Sequence, residues 1–161
     1  MTDTPYDSRE ATGHHIEEVR RLLYEVGRDI GVRAIAHDAS KLVPPEKEGF
    51  DHFTPLLAEM EYDSPEYRQA LKDMGPTLEH HYAANDHHPQ HFANGIADMD
   101  LVQLIEMLVD WVAATKRSPN GDIINSITVN RERFGYGPET ERILLNTVHR
   151  FGWHADRKGT V

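Results

Sequence analysis

Residues 100–116 read DLVQLIEMLVDWVAATK, and the reading of this stretch decides the fold. Leu101, Leu104, Ile105, Leu108 and Val112 recur at helical spacing, and Asp98 or Asp100 stands where an N-cap is wanted. Ser118-Pro119-Asn120-Gly121 then closes the pattern with a turn. The same period runs outward in both directions. Upstream, Val19, Leu22, Leu23 and Val26 mark a first helix over about 8–29, and a short helix over about 32–38 follows Gly31. Pro44-Pro45 opens a helix whose inner face is Phe50, Phe53, Leu57 and Met60, kinked or restarted at Thr54-Pro55. Ser64-Pro65 starts another, which runs towards His81 with a break at Gly75-Pro76 and stops before His88-Pro89. Downstream lie helices over about 122–134 and 138–151, with Gly152 as the stop. No stretch alternates as a strand does. The expectation is an all-α bundle of six or seven helices, a single domain over residues 1–161 with its ordered core at about 8–151.

Composition narrows the function classes. The 161 residues include 17 Lys or Arg, 27 Asp or Glu and no cysteine, for a net charge of −10. The missing cysteines exclude disulfides, thiolate zinc sites, iron–sulfur clusters and cysteine nucleophiles. The negative charge argues against a broad nucleic-acid surface. No apolar run approaches the roughly 18 residues of a membrane span, and the N-terminus carries no signal-peptide pattern, so the chain is expected in the cytoplasm.

Histidine is the informative residue. There are 11, and His80, His81, His87, His88 and His91 fall close together. His37-Asp38 offers an imidazole nitrogen and a carboxylate oxygen side by side. His15 extends the apolar stripe of the first helix back by one turn. Asp110 is an acid within the most apolar helix, where burial is costly unless the group is paired or metal-bound. His15, His37, Asp38 and Asp110 therefore form a plausible four-ligand set for a borderline divalent metal. His81, Asn85 and His88 share one face if the helix persists that far, and His80 and His87 lie on the adjacent face. Two imidazoles from this cluster would serve a second ion, with Asp38 bridging. Glu106, one turn before Asp110, could orient a ligand histidine or lie exposed. Ser126, Asn130 and Arg133 make a polar stripe that lines a substrate pocket or faces solvent. Asp110 pairing with Arg133 is the competing structural account, and Trp111 reads as core.

In chain order, His15 … His37-Asp38 … His81 … His88 … Asp110 resembles the HD-domain superfamily of helical metal-dependent phosphohydrolases. HDASKL (37–42), HYAANDHHPQHF (81–92), MDLVQLIEMLVDW (99–111) and SITVNRERF (126–134) resemble an uncharacterised phage and bacterial branch. The resemblance implies that His15, His37, Asp38 and Asp110 bind a first metal. It also implies that one of His80/His81 and one of His87/His88 complete a second site, and His81 and His88 match the branch motif best. Lys41 follows Asp38 as in the HD-x-x-K pattern, where the lysine faces the substrate phosphate. Single-metal nucleotidases of the superfamily carry Glu at that position, so the lysine favours the two-metal arrangement.

The function expected is hydrolysis of a small phosphorylated molecule, a nucleotide above all, by water activated on one or two divalent ions (Mn, Fe, Co, Ni or Zn). Asp38 and Lys41 are the candidate catalytic residues, and Lys41, Ser126, Asn130 and Arg133 the candidate substrate contacts. The alternatives are a di-iron oxygenase built on the same ligands, or a non-catalytic regulator that binds metal or nucleotide. A homodimer is compatible with the sequence and nothing in it requires one.

Overall fold

The structure, a computed structural model, describes residues 6–60, 64–117 and 121–154. Among these residues it is all-α, with seven helices, three short 3₁₀ turns and no strand. None of the helices is long and apolar enough to cross a membrane. The chain divides between Ala36 and His37 into two units.

The first unit is α1, Arg9–Ala36, one unbroken helix of 28 residues. The expected stop at Gly31 does not occur. A lone glycine costs about 1 kcal/mol relative to alanine inside a helix, too little to end one without a cap or proline. Ion pairs one turn apart, Arg20 with Glu17 and Arg21 with Glu18, support the polar side. Nothing among the described residues of the first unit covers the expected inner stripe of Val19, Leu22, Leu23 and Val26, which are 41–66% exposed. Periodicity marks an apolar face but does not say what covers it.

The second unit begins with His37-Asp38 and a 3₁₀ turn, Ala39–Leu42. Next come α2 (Glu46–Glu59), α3 (Pro65–Asp73) and α4 (Gly75–Ala84). Pro55 sits inside α2, which continues through it. Ser64 caps α3 by accepting from the Tyr67 N–H, as its sequence signature predicts. Two 3₁₀ turns, Pro89–His91 and Gly95–Asp98, lead to α5 (Leu101–Thr115). A capping box of Asp100 and Gln103 starts α5. The remaining helices are α6 (Ile123–Phe134) and α7 (Pro138–Arg150). Gly152, at φ +66°, closes α7: its N–H donates to His149 O and that of Trp153 to Val148 O.

The apolar core joins α5, α6 and α7 through Met107, Leu108, Val112, Ile123, Ile127, Leu144 and Val148. Trp111 stacks on Phe134 at 6.0 Å and belongs to this core. Leu101 and Ile105, expected in the inner stripe, are 74% and 41% exposed. The packed edge of α5 is Leu104, Met107, Leu108 and Val112. Ile127 is fully buried, and its carbonyl accepts from the Tyr136 hydroxyl at 2.5 Å. Burial raises the Tyr136 phenol to about 12. Ile127→Ala is expected to destabilise the second unit by about 2–5 kcal/mol, the range for a large-to-small change in a packed core. Urea unfolding checks this, and a loss below ~1 kcal/mol would show that the core lies elsewhere.

Candidate metal centre

The core holds α5 with Glu106 and Asp110 turned away from α6 and α7, towards a cluster of histidines. His37-Asp38 lies just past the end of α1, and Asp38 takes the left-handed backbone (φ 56°, ψ 15°). Asp and Asn tolerate that region better than other L-residues. The other histidines come from the end of α4 and the loop after it. Asn85 leaves the helix in an extended conformation, and its side-chain amide donates to His81 O and to Ser40 Oγ, both at 2.8 Å. Gln103 Nε2 donates to Asp86 Oδ2 at 2.8 Å, which ties the loop to the start of α5.

The polar atoms converge in three overlapping groups: Asp38, His81, His87 and His88; His37, Asp38 and Asp110; and His37, His87 and Glu106. Within each group the ligand atoms lie within 4.8 Å of one another. In the first, His81 Nε2 is 2.8 Å from His88 Nε2 and 3.4 Å from Asp38 Oδ1. His87 Nε2 is 3.5 Å from the same oxygen. Ligands of a tetrahedral ion at about 2.0–2.1 Å stand about 3.3–3.4 Å apart, so the spacing suits a single cation. In the second group, His37 Nε2 is 3.5 Å from Asp38 Oδ2 and 3.7 Å from Asp110 Oδ1. Asp38 thus turns one oxygen towards each group, as a bridging carboxylate does.

Two glutamates stand behind the imidazoles. Glu106 Oε1 lies 2.8 Å from His37 Nδ1 and 3.2 Å from His87 Nδ1. Glu46 Oε1 lies 2.8 Å from His80 Nδ1, and its Oε2 is 2.8 Å from His81 Nδ1 and 2.9 Å from Ser40 Oγ. Each of these ring nitrogens faces a carboxylate oxygen, the arrangement in which an outer carboxylate orients a metal-ligating imidazole. Asn85 Nδ2 also lies 3.0 Å from His81 Nδ1. Its two protons are already taken by Ser40 and the His81 carbonyl, so this is a contact between two donors. Gly49 allows the approach of α2 to α4 that makes the arrangement: a Cβ there would lie 2.1 Å from Thr77 Oγ1.

The electrostatics agree with a cation site. Burial pushes the Asp38 carboxyl up, but the hydrogen bond and charge of Lys41, with His37 and His81, outweigh it and hold Asp38 below the usual range. Burial likewise pushes Glu46 up, and its bonds from His80, His81 and Ser40 bring it down. Burial, reinforced by Lys41, lowers His81. Burial also lowers His87. Burial and the neighbouring His87 and His81 bring His88 to about 3. These three imidazoles are neutral at pH 7 and their lone pairs are available. Two buried atoms have no hydrogen-bond partner among the described residues, Asp38 Oδ1 and His87 Nε2. They lie 3.5 Å apart, and a cation between them would satisfy both. The residues fit a divalent ion.

The pH dependence of stability follows from the histidines. Unfolded, they protonate near 6.5; folded and metal-free, His88 does so only near 3. Between those values the unfolded chain binds more protons, so acidification favours unfolding, and above 6.5 the term is constant. The urea midpoint of metal-free protein is expected to fall from pH 7 to pH 5, and His88→Asn is expected to flatten the slope. Equal slopes in the two proteins would contradict the shift.

The structure brings together His37, Asp38, His81, His88, Asp110 and Glu106 of the residues singled out in the sequence. Lys41 joins them, with Nζ 2.6 Å from Asp38 Oδ2 and 4.8 Å from the centre of the Phe50 ring. His15 lies on an exposed face of α1 in the first unit; the groups above are built wholly from the second. The shared helical face expected for His81, Asn85 and His88 is not the means of convergence. Helix α4 ends at Ala84 and the loop brings both His87 and His88 in. His80 instead pairs with Glu46 and is half exposed. On α6, Ser126 and Asn130 are half-buried and Arg133 is exposed over the Phe134 ring. Among the described residues, no hydrogen bond or ion pair joins them to the cluster, and Asp110 faces His37 where Arg133 was the competing partner. Sequence reasoning missed Glu46 and Ser40, placed Asn85 beside His81 without giving it a role, and left His87 as the weaker alternative to His88.

The model of a family of unknown function, DUF5662, matches residues 4–150. The chain belongs to that family. The match spans α1 through α7, so the DUF5662 region includes every residue of the centre. No curated protein and no solved structure matches the chain.

Proposed function

We propose that this DUF5662 chain is a metal-dependent phosphohydrolase of the HD kind, acting on a small phosphorylated molecule and by preference a nucleotide. The supporting observation is the opposed pair Asp38 Oδ1 and His87 Nε2, buried without partners amid His37, His81, His88 and Asp110. Asp38, His81, His87 and His88 would hold one ion, and His37, Asp38 and Asp110 would contribute to a second. A divalent cation there supplies Lewis acidity, lowering the pKa of a coordinated water from 15.7 to about 7 and polarising a phosphoryl oxygen.

The chain's own residues do the rest. Glu106 and Glu46 keep the imidazoles oriented. Asp38 holds the two groups in register through its two oxygens. Lys41, anchored on Asp38 and 27% exposed at its side chain, turns its remaining N–H donors towards an incoming phosphoryl group and stabilises charge that develops there. Two divalent ions with Lys41 slightly outweigh the carboxylates of Asp38, Glu46, Glu106 and Asp110, which suits an anionic substrate.

The test is elemental analysis of purified protein followed by release of phosphate from a panel of mononucleotides, nucleoside triphosphates and simple phosphoesters. Bound transition metal with turnover supports the proposal. Metal without turnover on any member supports the regulatory alternative, and iron with oxygen-dependent chemistry supports the oxygenase.

A further inference from the structure

Glu46 is the most deeply buried acid of the second unit, 0% exposed, and the mechanism above gives it no direct contact with an ion or substrate. Its surroundings are unusual for a structural acid. Among the described residues it makes no ion pair with an arginine or lysine; two imidazole nitrogens and one hydroxyl lie within 2.9 Å of it. The two histidines are consecutive in sequence and only one of them reaches the cluster. His81 is 2% exposed with Nε2 among the ligand atoms, whereas His80 is 48% exposed at its side chain.

We infer that Glu46 is a positioning residue that fixes His81 as the Nδ1–H tautomer and thereby makes its Nε2 a ligand, with His80 satisfying the second carboxylate oxygen from the solvent side. This rests on the reading of the cluster as a metal centre. A neutral imidazole has one proton to place. Left free, His81 could carry it on Nε2, pointed at His88 and Asp38, and would then offer no lone pair to a cation. Glu46 Oε2 removes that choice, because an acceptor 2.8 Å from Nδ1 requires the proton there. Ser40 Oγ donates to the same oxygen and accepts from the Asn85 amide, so the carboxylate cannot swing away without breaking its bonds to Ser40 and His81. Glu46 belongs to the first turn of α2, and the Gly49–Thr77 approach sets that helix against α4. The tautomer of one ligand is thus set by the packing of two helices.

Long-range ¹H–¹⁵N NMR of metal-free protein reads the tautomer directly, and Co²⁺ titration followed by absorption reads the affinity. In the wild type His81 is expected to be protonated on Nδ1. Glu46→Met removes both acceptors and is expected to shift His81 towards Nε2–H and to weaken Co²⁺ binding about 10–100-fold, the usual effect of losing an outer partner. Glu46→Gln can turn its amide oxygen to His81 and Ser40 and its NH₂ to the half-exposed His80, so it is expected to stay within a few-fold of wild type. His80→Ala is expected to bind Co²⁺ as wild type does. A purely structural role would not separate Met from Gln in tautomer and affinity together. Wild-type affinity in Glu46→Met, or Nε2–H at His81 in the wild type, overturns the role of Glu46; the tautomer measurement on the wild type decides even where Glu46→Met fails to fold. A wild type that takes up no Co²⁺ overturns the underlying metal reading instead.

Discussion

Asp38→Asn is expected to abolish metal retention while leaving the helical fold in place. Asparagine accepts the left-handed backbone at this position nearly as readily as aspartate, so the turn from α1 into Ala39–Leu42 is preserved. The loss is chemical. Asp38 turns Oδ1 towards His81 and His87 and Oδ2 towards His37, and an amide brings neither negative charge nor two equivalent oxygens to a cation. Because both groups share this residue, affinity should fall by more than the roughly 10–100-fold typical of an outer-shell change. Elemental analysis after gel filtration, beside a far-ultraviolet circular dichroism spectrum, checks both halves. Metal content equal to wild type in a folded Asp38→Asn protein would remove Asp38 from the ligands.

Removing the metal should have the second large effect. An ion that binds only the folded state stabilises it by about 2.7 kcal/mol when free metal is a hundredfold above Kd. For a chain of this size that corresponds to a fall in Tm of roughly 5–11 °C on chelation. Phosphate release should vanish with the metal and return with Zn²⁺, Mn²⁺, Fe²⁺ or Co²⁺. Mg²⁺ should restore little, since a group of three imidazoles and one carboxylate is poorly matched to an ion that prefers oxygen. Full activity in chelated protein would defeat the phosphohydrolase mechanism.

How much of this was legible in the sequence differs from one residue to the next. Glu106 and Asp110 were readable because acids one turn apart in a strongly apolar helix need a partner, and His37-Asp38 because adjacency does not depend on distant packing. The helices of the second unit were likewise announced by Ser64-Pro65, an N-cap at Asp98 or Asp100, and Gly152. The choice between His87 and His88 was not legible. They lie beyond the end of α4, where neither helical nor strand periodicity assigns a face, and the loop geometry depends on Asn85 bonding to Ser40 across 45 positions. Glu46 was hidden for a related reason. An acid just after Pro44-Pro45 reads as a helix-start residue favoured by the dipole, and it is one of 27 acids in the chain. Only the approach of α2 to α4 buries it. The exposed stripe of α1 shows the same limit from the other side.

The single oxygen of Glu106 that serves both His37 and His87 has a mechanical consequence. The two rings lie 4.6 Å apart and answer to one oxygen, although in the proposed centre His87 would serve the first ion and His37 the second. An ion that clamped either ring would hold the shared oxygen, and the other ring would lose freedom before its own ion arrived. A second ion would then meet a seat whose ordering entropy had already been spent. Uptake of the pair should be cooperative, with half-filled molecules scarce at intermediate metal.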